Sequence, residues 1–383
     1  MRRIGKALAL LLCLVLLLGG CGAEQRPPEP APEPLPTAAT APEPTGTESA
    51  PPAPTEEPER PALLLWIPED DALCDSIAVL AEEYAAAHPD HALELRRFGT
   101  GAELNAALTN AQPDLLLCDA RLASQLPGAL PEGLPELLFD APEGFVPLGA
   151  ELPVLVLREE DRALLEGCDT LEALCAAAVQ YGRQHGKPFF SADSFARLFA
   201  CALAQKGSPF FAMREQDLES EDYRTVYNLL AEAAFEGGLI AADSPVMAAV
   251  MRCELVCGLC SSRELLSGER EGLAVRPLPP MEGCEALVDL QLHGLAVLPG
   301  ADPKETADFL GWLLADGRMA EAALAAGLIP GADGAWSGAD GALAGLSQAL
   351  RSAHLWLPDE DAGYLLRGAD FEQSFRAALA LLG

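Results

Sequence analysis

Beyond residue 61 the chain alternates short, wholly apolar runs with longer stretches whose apolar residues recur at helical spacing. Leu63 to Ile67 contains no polar position, as expected of a strand buried on both faces of a parallel sheet. Pro68 ends it. Asp70 or Asp71 can cap a helix in which Leu73, Ile77, Leu80 and Tyr84 share one face, with Pro89 just past its end. A second strand is predicted at Leu93 to Phe98. It is followed by a Gly99-Thr100-Gly101 turn, a helix carrying Leu104 and Leu108, and a third strand at Leu115 to Cys118. Strand, helix, strand, helix, strand is the opening of a doubly wound α/β fold. With the strand order 2-1-3 that such a unit usually adopts, ligands bind beyond the carboxyl ends. Pro68 to Asp71, Gly99 to Gly101 and Asp119 to Arg121 then meet at one edge. Each acidic residue there also has a plainer role open to it, as a helix cap or a solvated loop residue.

Later helix starts are equally legible. Asp302, Pro303 and Glu305 supply a cap, a first-turn proline and a capping-box carboxylate for a helix bearing Phe309, Leu310, Leu313 and Leu314. Gly317 interrupts it, and Gly327 ends the next helix where a left-handed residue is favoured. Asp169 with Glu172 repeats the capping box before a helix from Thr170 to Gln184.

The N-terminal segment follows different rules. Arg2, Arg3 and Lys6 precede an apolar run from Ala7 to Leu18, too short to span a bilayer, and small residues then lead to a cysteine. This is a secretory signal over residues 1–20. Leu18-Gly19-Gly20-Cys21 resembles the lipobox of bacterial lipoproteins, which implies cleavage before Cys21 and acylation of its sulfur. From Arg26 to Pro61 the chain is rich in proline, alanine, threonine and glutamate, with Leu35 its only large aliphatic residue. It therefore reads as a disordered tether. At about 3.1 Å per residue the tether reaches on the order of 100 Å from the lipid.

What remains, residues 62–383, suits two lobes rather than one core. The formal net charge of -33 and the lack of a basic stretch exclude nucleic acid as a partner. Of eleven cysteines, nine follow Cys21, an odd number that cannot pair completely. Several fall on apolar faces, where a thiol acts as a small hydrophobe, so an anaerobic habitat is inferred in place of a disulfide framework.

From Leu63 the run LLLWIPEDDALCDSIAVLAEEYAAAHPDHALELRRFGTGAELNAALTNAQPDLLLCDA resembles the opening of the extracellular solute-binding proteins of the maltodextrin-binding type. The resemblance continues in order through Pro153 to Leu165, Glu254 to Arg263 and Gly272 to Pro280. It is most specific in DLQLHGLAVLPGADPKETADFLGWLLADGRMAEAALAAGLIPGADGAW, from Asp289 to Trp336. It implies a type II periplasmic binding protein-like fold, with two doubly wound α/β lobes joined by crossing hinge segments and a cleft that closes on a ligand. The lobes are placed at 62–149 with 282–324, and 150–281 with 325–383. The expected partner is an ABC permease in the cytoplasmic membrane.

Chemistry other than binding has little support. There is no HExxH, GxSxG, P-loop or Rossmann fingerprint, so the chain is not read as an enzyme and no cofactor is expected. Cys253-x3-Cys257-x2-Cys260, with Cys284 and His293 downstream, is compatible with zinc by spacing alone. The odd separation of Cys257 and Cys260 in a strand sends them to opposite faces, so no metal is expected. A sugar needs aromatic faces to stack on and planar polar groups for its hydroxyls. Trp66, Glu69, Asp70, Asp71, Thr100, Asp119 and Arg121 are the candidates on the first lobe, with Gln291 and His293 on the later strand. Ser261, Arg263 and Trp336 are the candidates on the second lobe and hinge. Sugar-binding members often place a tryptophan where this chain has Ser261-Ser262-Arg263.

The function expected is an extracytoplasmic lipoprotein receptor for a small polar solute, a carbohydrate foremost, serving an ABC importer. The protein is placed as a monomer on the outer face of the cytoplasmic membrane of a Gram-positive-like cell. Two alternatives stand beside it: a receptor for a polyamine or other cationic solute, using the acidic loops, and a ligandless lipoprotein adaptor of the same fold.

Overall fold

The computed structural model describes residues 62–135, 137–207, 220–268, 270–331, 341–355 and 363–382. The expected signal segment, Cys21, the tether and Trp336 lie outside the described residues. The first part of the chain runs β1 (Leu63–Pro68), α1 (Cys74–Ala87), β2 (Leu93–Phe98), α2 (Gly101–Asn110), β3 (Leu115–Asp119), α3 (Ala120–Ala123) and β4 (Phe145–Glu151). Then come β5 (Pro153–Arg158), α4 (Leu171–His185), β6 (Phe190–Ala192), α5 (Phe195–Gln205), α6 (Glu221–Phe235), α7 (Val246–Met251), β7 (Cys257–Ser261), α8 (Ser262–Ser267) and β8 (Leu273–Arg276). The last part holds β9 (Val288–Asp289), β10 (Gln291–Val297), α9 (Pro303–Leu314), α10 (Arg318–Ala325), β11 (Ile329–Pro330), α11 (Gly341–Leu350), β12 (Ala353–His354) and α12 (Gly363–Leu382).

These elements form two mixed α/β lobes. The first is built on a six-stranded sheet of order β11-β4-β10-β3-β1-β2, the second on a four-stranded sheet of order β6-β7-β5-β8. β1 pairs in parallel with both β2 and β3, so the order 2-1-3 is present. β10 enters antiparallel between β3 and β4. Ile329–Pro330 joins the first sheet beside β4, so that lobe runs past the limit expected at Leu324. A two-residue strand has no periodicity to read. The chain passes between the sheets at Leu152, where Leu152 and Ser262 exchange hydrogen bonds, Leu152 N–H to Ser262 Oγ (3.1 Å) and Ser262 N–H to the Leu152 carbonyl (2.8 Å). β9 pairs in parallel with β12.

Two apolar clusters fill the molecule. On one face of the first sheet, Leu65, Ile67, Leu115, Leu117, Leu148 and Leu295 pack on α1, α9 and α10. On the other face, Trp66, Phe98, Leu104, Leu116 and Cys118 belong to a cluster that continues through Ala150, Leu152, Leu290 and Leu292 into the second lobe. The alternation of Leu65, Trp66 and Ile67 between the clusters is the two-residue period of a strand covered on both faces. The cysteines among the described residues are free thiols, and all are buried except the exposed Cys253 and the half-buried Cys284. Cys257 and Cys260 both sit on β7, 0% and 1% exposed.

One cap differs from its sequence signature. The cap of α4 is Thr170, which accepts from the Ala173 N–H (3.1 Å), while Glu172 turns to the Glu282 N–H (2.9 Å). Asp302 caps α9 as its sequence predicts, accepting from the N–H groups of Lys304 and Glu305. Glu305 itself also reaches His91.

Candidate functional site

The edge beyond β1, β3, β4 and β10 collects polar side chains, and each has a local reason to be there. Asp71 follows β1 and accepts from the Leu73 N–H (2.8 Å), satisfying a free donor at the start of the α1 region. Its other oxygen meets His293 Nδ1 at 3.1 Å. His293 is paired in register with Asp119 of β3 on one side and Gly149 of β4 on the other. Burial pulls its imidazole down, but the Asp71 hydrogen bond and the charges of Asp71, Glu151 and Asp119 outweigh this and hold it above its ordinary value.

A second group lies where the chain crosses between sheets. Arg121, 7% exposed on α3 of the first lobe, is paired through Nη2 with Asp289 of β9, which is fully buried. Arg197, from α5 of the second lobe, meets the same carboxylate through Nε (3.3 Å) and reaches Glu151 Oε1 through Nη1 (3.3 Å). Ser261 Oγ, at the end of β7, donates to the other Glu151 oxygen at 2.8 Å. Gln291 completes the group with its amide turned so that its nitrogen faces Glu151 and its oxygen faces Arg121 Nη1 (3.1 Å). Two arginines and two carboxylates make a charge-balanced cluster with partners from both lobes, the arrangement that buried charges require.

The sequence-derived candidates divide accordingly. Arg121, Ser261 and Gln291 come together at this seam, and Asp71 and His293 pair with each other beside it. Asp119 is next to it, but its side chain caps α3 by accepting from the Leu122 N–H (2.7 Å). Thr100 likewise caps α2 and is exposed. Glu69 and Asp70 are exposed at the end of β1. Arg263 is exposed on α8, with Nε donating to the Ala326 carbonyl (3.2 Å), so it joins α8 to the end of α10. Trp66 is a correction to the expected stacking platform. Its ring is 4% exposed and is covered by Phe98, 4.9 Å away between centroids, and by the guanidinium of Arg96 at 5.3 Å. Position 66 points to the face of β1 that shares the larger core.

Glu151, Arg197 and Asp289 were not singled out by sequence. Arg197 left a signal, since it is the only charged residue of the otherwise apolar helix FARLFACALAQ, and a lone cation on a buried helix needs a partner. Glu372 of α12 helps fix that helix by accepting from the Ala196 N–H (2.8 Å). At the carboxyl ends of β6 and β7, Asp193, Cys260 and Glu264 bring their donor atoms within 4.8 Å of one another. Burial and the adjacent Asp193 push Glu264 up to about 8.

No family model and no curated relative matches the chain. Solved structures do. The cyclic alpha-maltosyl-1,6-maltose binding protein of Arthrobacter globiformis aligns with a TM-score of 0.62 at 16% identity, over 84% of this chain and 94% of that one. A family 1 extracellular solute-binding protein from Bifidobacterium longum subsp. infantis aligns at 0.60 with 14% identity, over 84% and 95%. The GacH receptor of Streptomyces glaucescens, solved unliganded and with acarbose, aligns at 0.58 with 15% identity, over 84% and 96%. At these identities the match establishes the fold, that of type II periplasmic binding proteins.

Proposed function

We propose that this chain, with the fold of the extracellular solute-binding proteins, is a receptor that captures a small polar solute, a carbohydrate foremost, for an ABC importer. The observation that carries the reading is the seam where Glu151, bound by Gln291, meets Arg197 and Ser261 of the other lobe, with the Asp71–His293 pair beside it on the first lobe. Planar amide, carboxylate and imidazole groups between two hinged lobes suit hydroxyl recognition, and lobe closure couples binding to delivery. The sugars bound by proteins of like fold support the solute class. Cys21 is the lipid attachment in this reading, residues 21–61 are the tether, and the protein works outside the cytoplasmic membrane.

A melting experiment tests the reading. A solute at a hundred times its dissociation constant adds about 2.7 kcal/mol of stability, so maltose, mannobiose or a longer oligosaccharide is expected to raise the Tm measurably. A rise with spermidine alone moves the assignment to a cationic solute. One observation favours a second reading, a ligandless adaptor: the arginines of the seam are paired with its carboxylates. Silence across sugar and polyamine panels selects it. Cys21→Ser is expected to leave the protein unprocessed or release it from membranes, and normal processing with membrane retention overturns the lipoprotein assignment.

A further inference from the structure

His293 carries an unmet requirement. Its Nδ1 is bonded to Asp71, but its Nε2 is buried and has no hydrogen-bond partner among the described residues. A buried ring nitrogen in this state is costly unless something pairs with it. The charged groups around it are Asp71 from the loop after β1, Asp119 at the end of β3 and Glu151 at the end of β4. The cations nearest this edge, Arg121 and Arg197, are held by Asp289 and Glu151. His293 lies two residues from Gln291 on β10, at the seam that Ser261 and Glu151 bridge.

The fixed partner settles the tautomer. A carboxylate only accepts, so Nδ1 must carry the hydrogen that Asp71 receives. Nε2 is then an acceptor when the ring is neutral and a donor when it is protonated. A hydroxyl satisfies both states, because it both donates and accepts. An ammonium suits only the neutral ring and a carboxylate only the imidazolium. We infer that His293 Nε2 anchors the solute, and that it selects a hydroxyl rather than an ammonium or a carboxylate as the anchoring group. The inference rests on the receptor reading above and narrows it to hydroxylated solutes. Parting of the lobes at the Ser261–Glu151 contact admits the solute. Asp71, Glu151 and Asp119 raise the basicity of the His293 ring against the opposing effect of burial.

Calorimetry with maltose, mannobiose and spermidine, at about pH 5 and about pH 9, provides the test. The wild-type protein is expected to bind a sugar at both pH values with affinities within about threefold, since Nε2 finds a partner in either state. His293→Ala is expected to lose about tenfold or more, and His293→Gln, whose amide both donates and accepts, to recover part of that. Ring-nitrogen NMR supplies a readout that does not depend on either variant folding. In the unliganded protein at high pH the hydrogen should reside on Nδ1, and sugar should shift the Nε2 resonance. Spermidine binding confined to high pH overturns hydroxyl selection while leaving a solute receptor standing. Sugar binding that both variants preserve overturns the role of His293 while leaving the carbohydrate reading intact. A wild-type protein that binds no sugar overturns the carbohydrate reading and this inference with it.

Discussion

A Cβ placed on Gly327 would stand 2.7 Å from the carbonyl oxygen of Arg263. Gly327 follows α10 on the first lobe and Arg263 lies in the first turn of α8 on the second, so the two lobes touch there through backbone. The φ of Gly327 is +76°, which a side chain rarely adopts. Gly317 also has a positive φ, +71°, but nothing lies within 4 Å of its hypothetical Cβ. Gly317→Ala is therefore expected to cost about 1 kcal/mol, from backbone strain alone. Gly327→Ala should cost about 2 to 4 kcal/mol, because the seam must also give way. Urea denaturation of both variants measures the difference, and equal losses refute the contact.

Asp289 neutralises two arginines from different lobes while fully buried. Removing it leaves uncompensated buried charge, so Asp289→Ala is expected to destabilise by about 3 to 5 kcal/mol. Asp75, whose side chain is 93% exposed in its pair with Arg97, is the comparison. Asp75→Ala should change stability by less than about 1 kcal/mol. Chemical denaturation at one fixed pH and salt concentration checks both.

Glu264 gives stability a particular pH dependence. In the unfolded chain its carboxyl titrates near the ordinary value, and in the folded chain burial and Asp193 push it up to about 8. The folded state therefore holds the proton more tightly. The stability this contributes is fully present below the ordinary carboxyl value and is lost as pH rises through about 8. Glu264→Gln should make the protein more stable than wild type at about pH 9, with the advantage shrinking or reversing at about pH 4. Denaturation curves for the two proteins that stay parallel across this range would argue against the raised Glu264 carboxyl.

Trp66 is a core residue, so Trp66→Ala is expected to lower stability by about 3 to 5 kcal/mol through the cavity it leaves beside Phe98 and Leu116. The molecules that remain folded should bind solute as the wild type does, since the ring is packed against Phe98 and Arg96. A large loss of affinity measured well below the melting temperature would restore the stacking role.

Much of the architecture was legible from residue order alone. The uninterrupted apolar run at Leu63 to Ile67, the spacing of Leu73, Ile77 and Leu80, and the Asp302-Pro303 cap each act over a few residues, where side-chain size and backbone hydrogen bonding decide the outcome. The site was legible only in part. A strand buried on both faces shows no alternation, so nothing local said that Trp66 would turn toward Phe98 instead of the cleft. Asp71 and Asp119 follow β1 and end β3, but whether each oxygen caps a helix or meets another side chain depends on what folds against it. The Arg121, Glu151, Arg197 and Asp289 cluster draws on four segments far apart in the chain, and charge pairing depends on distance in space and on burial, for which sequence separation is no guide. Local chemistry set the strands and helices; only the docking of the two lobes chose which charges would be sealed between them.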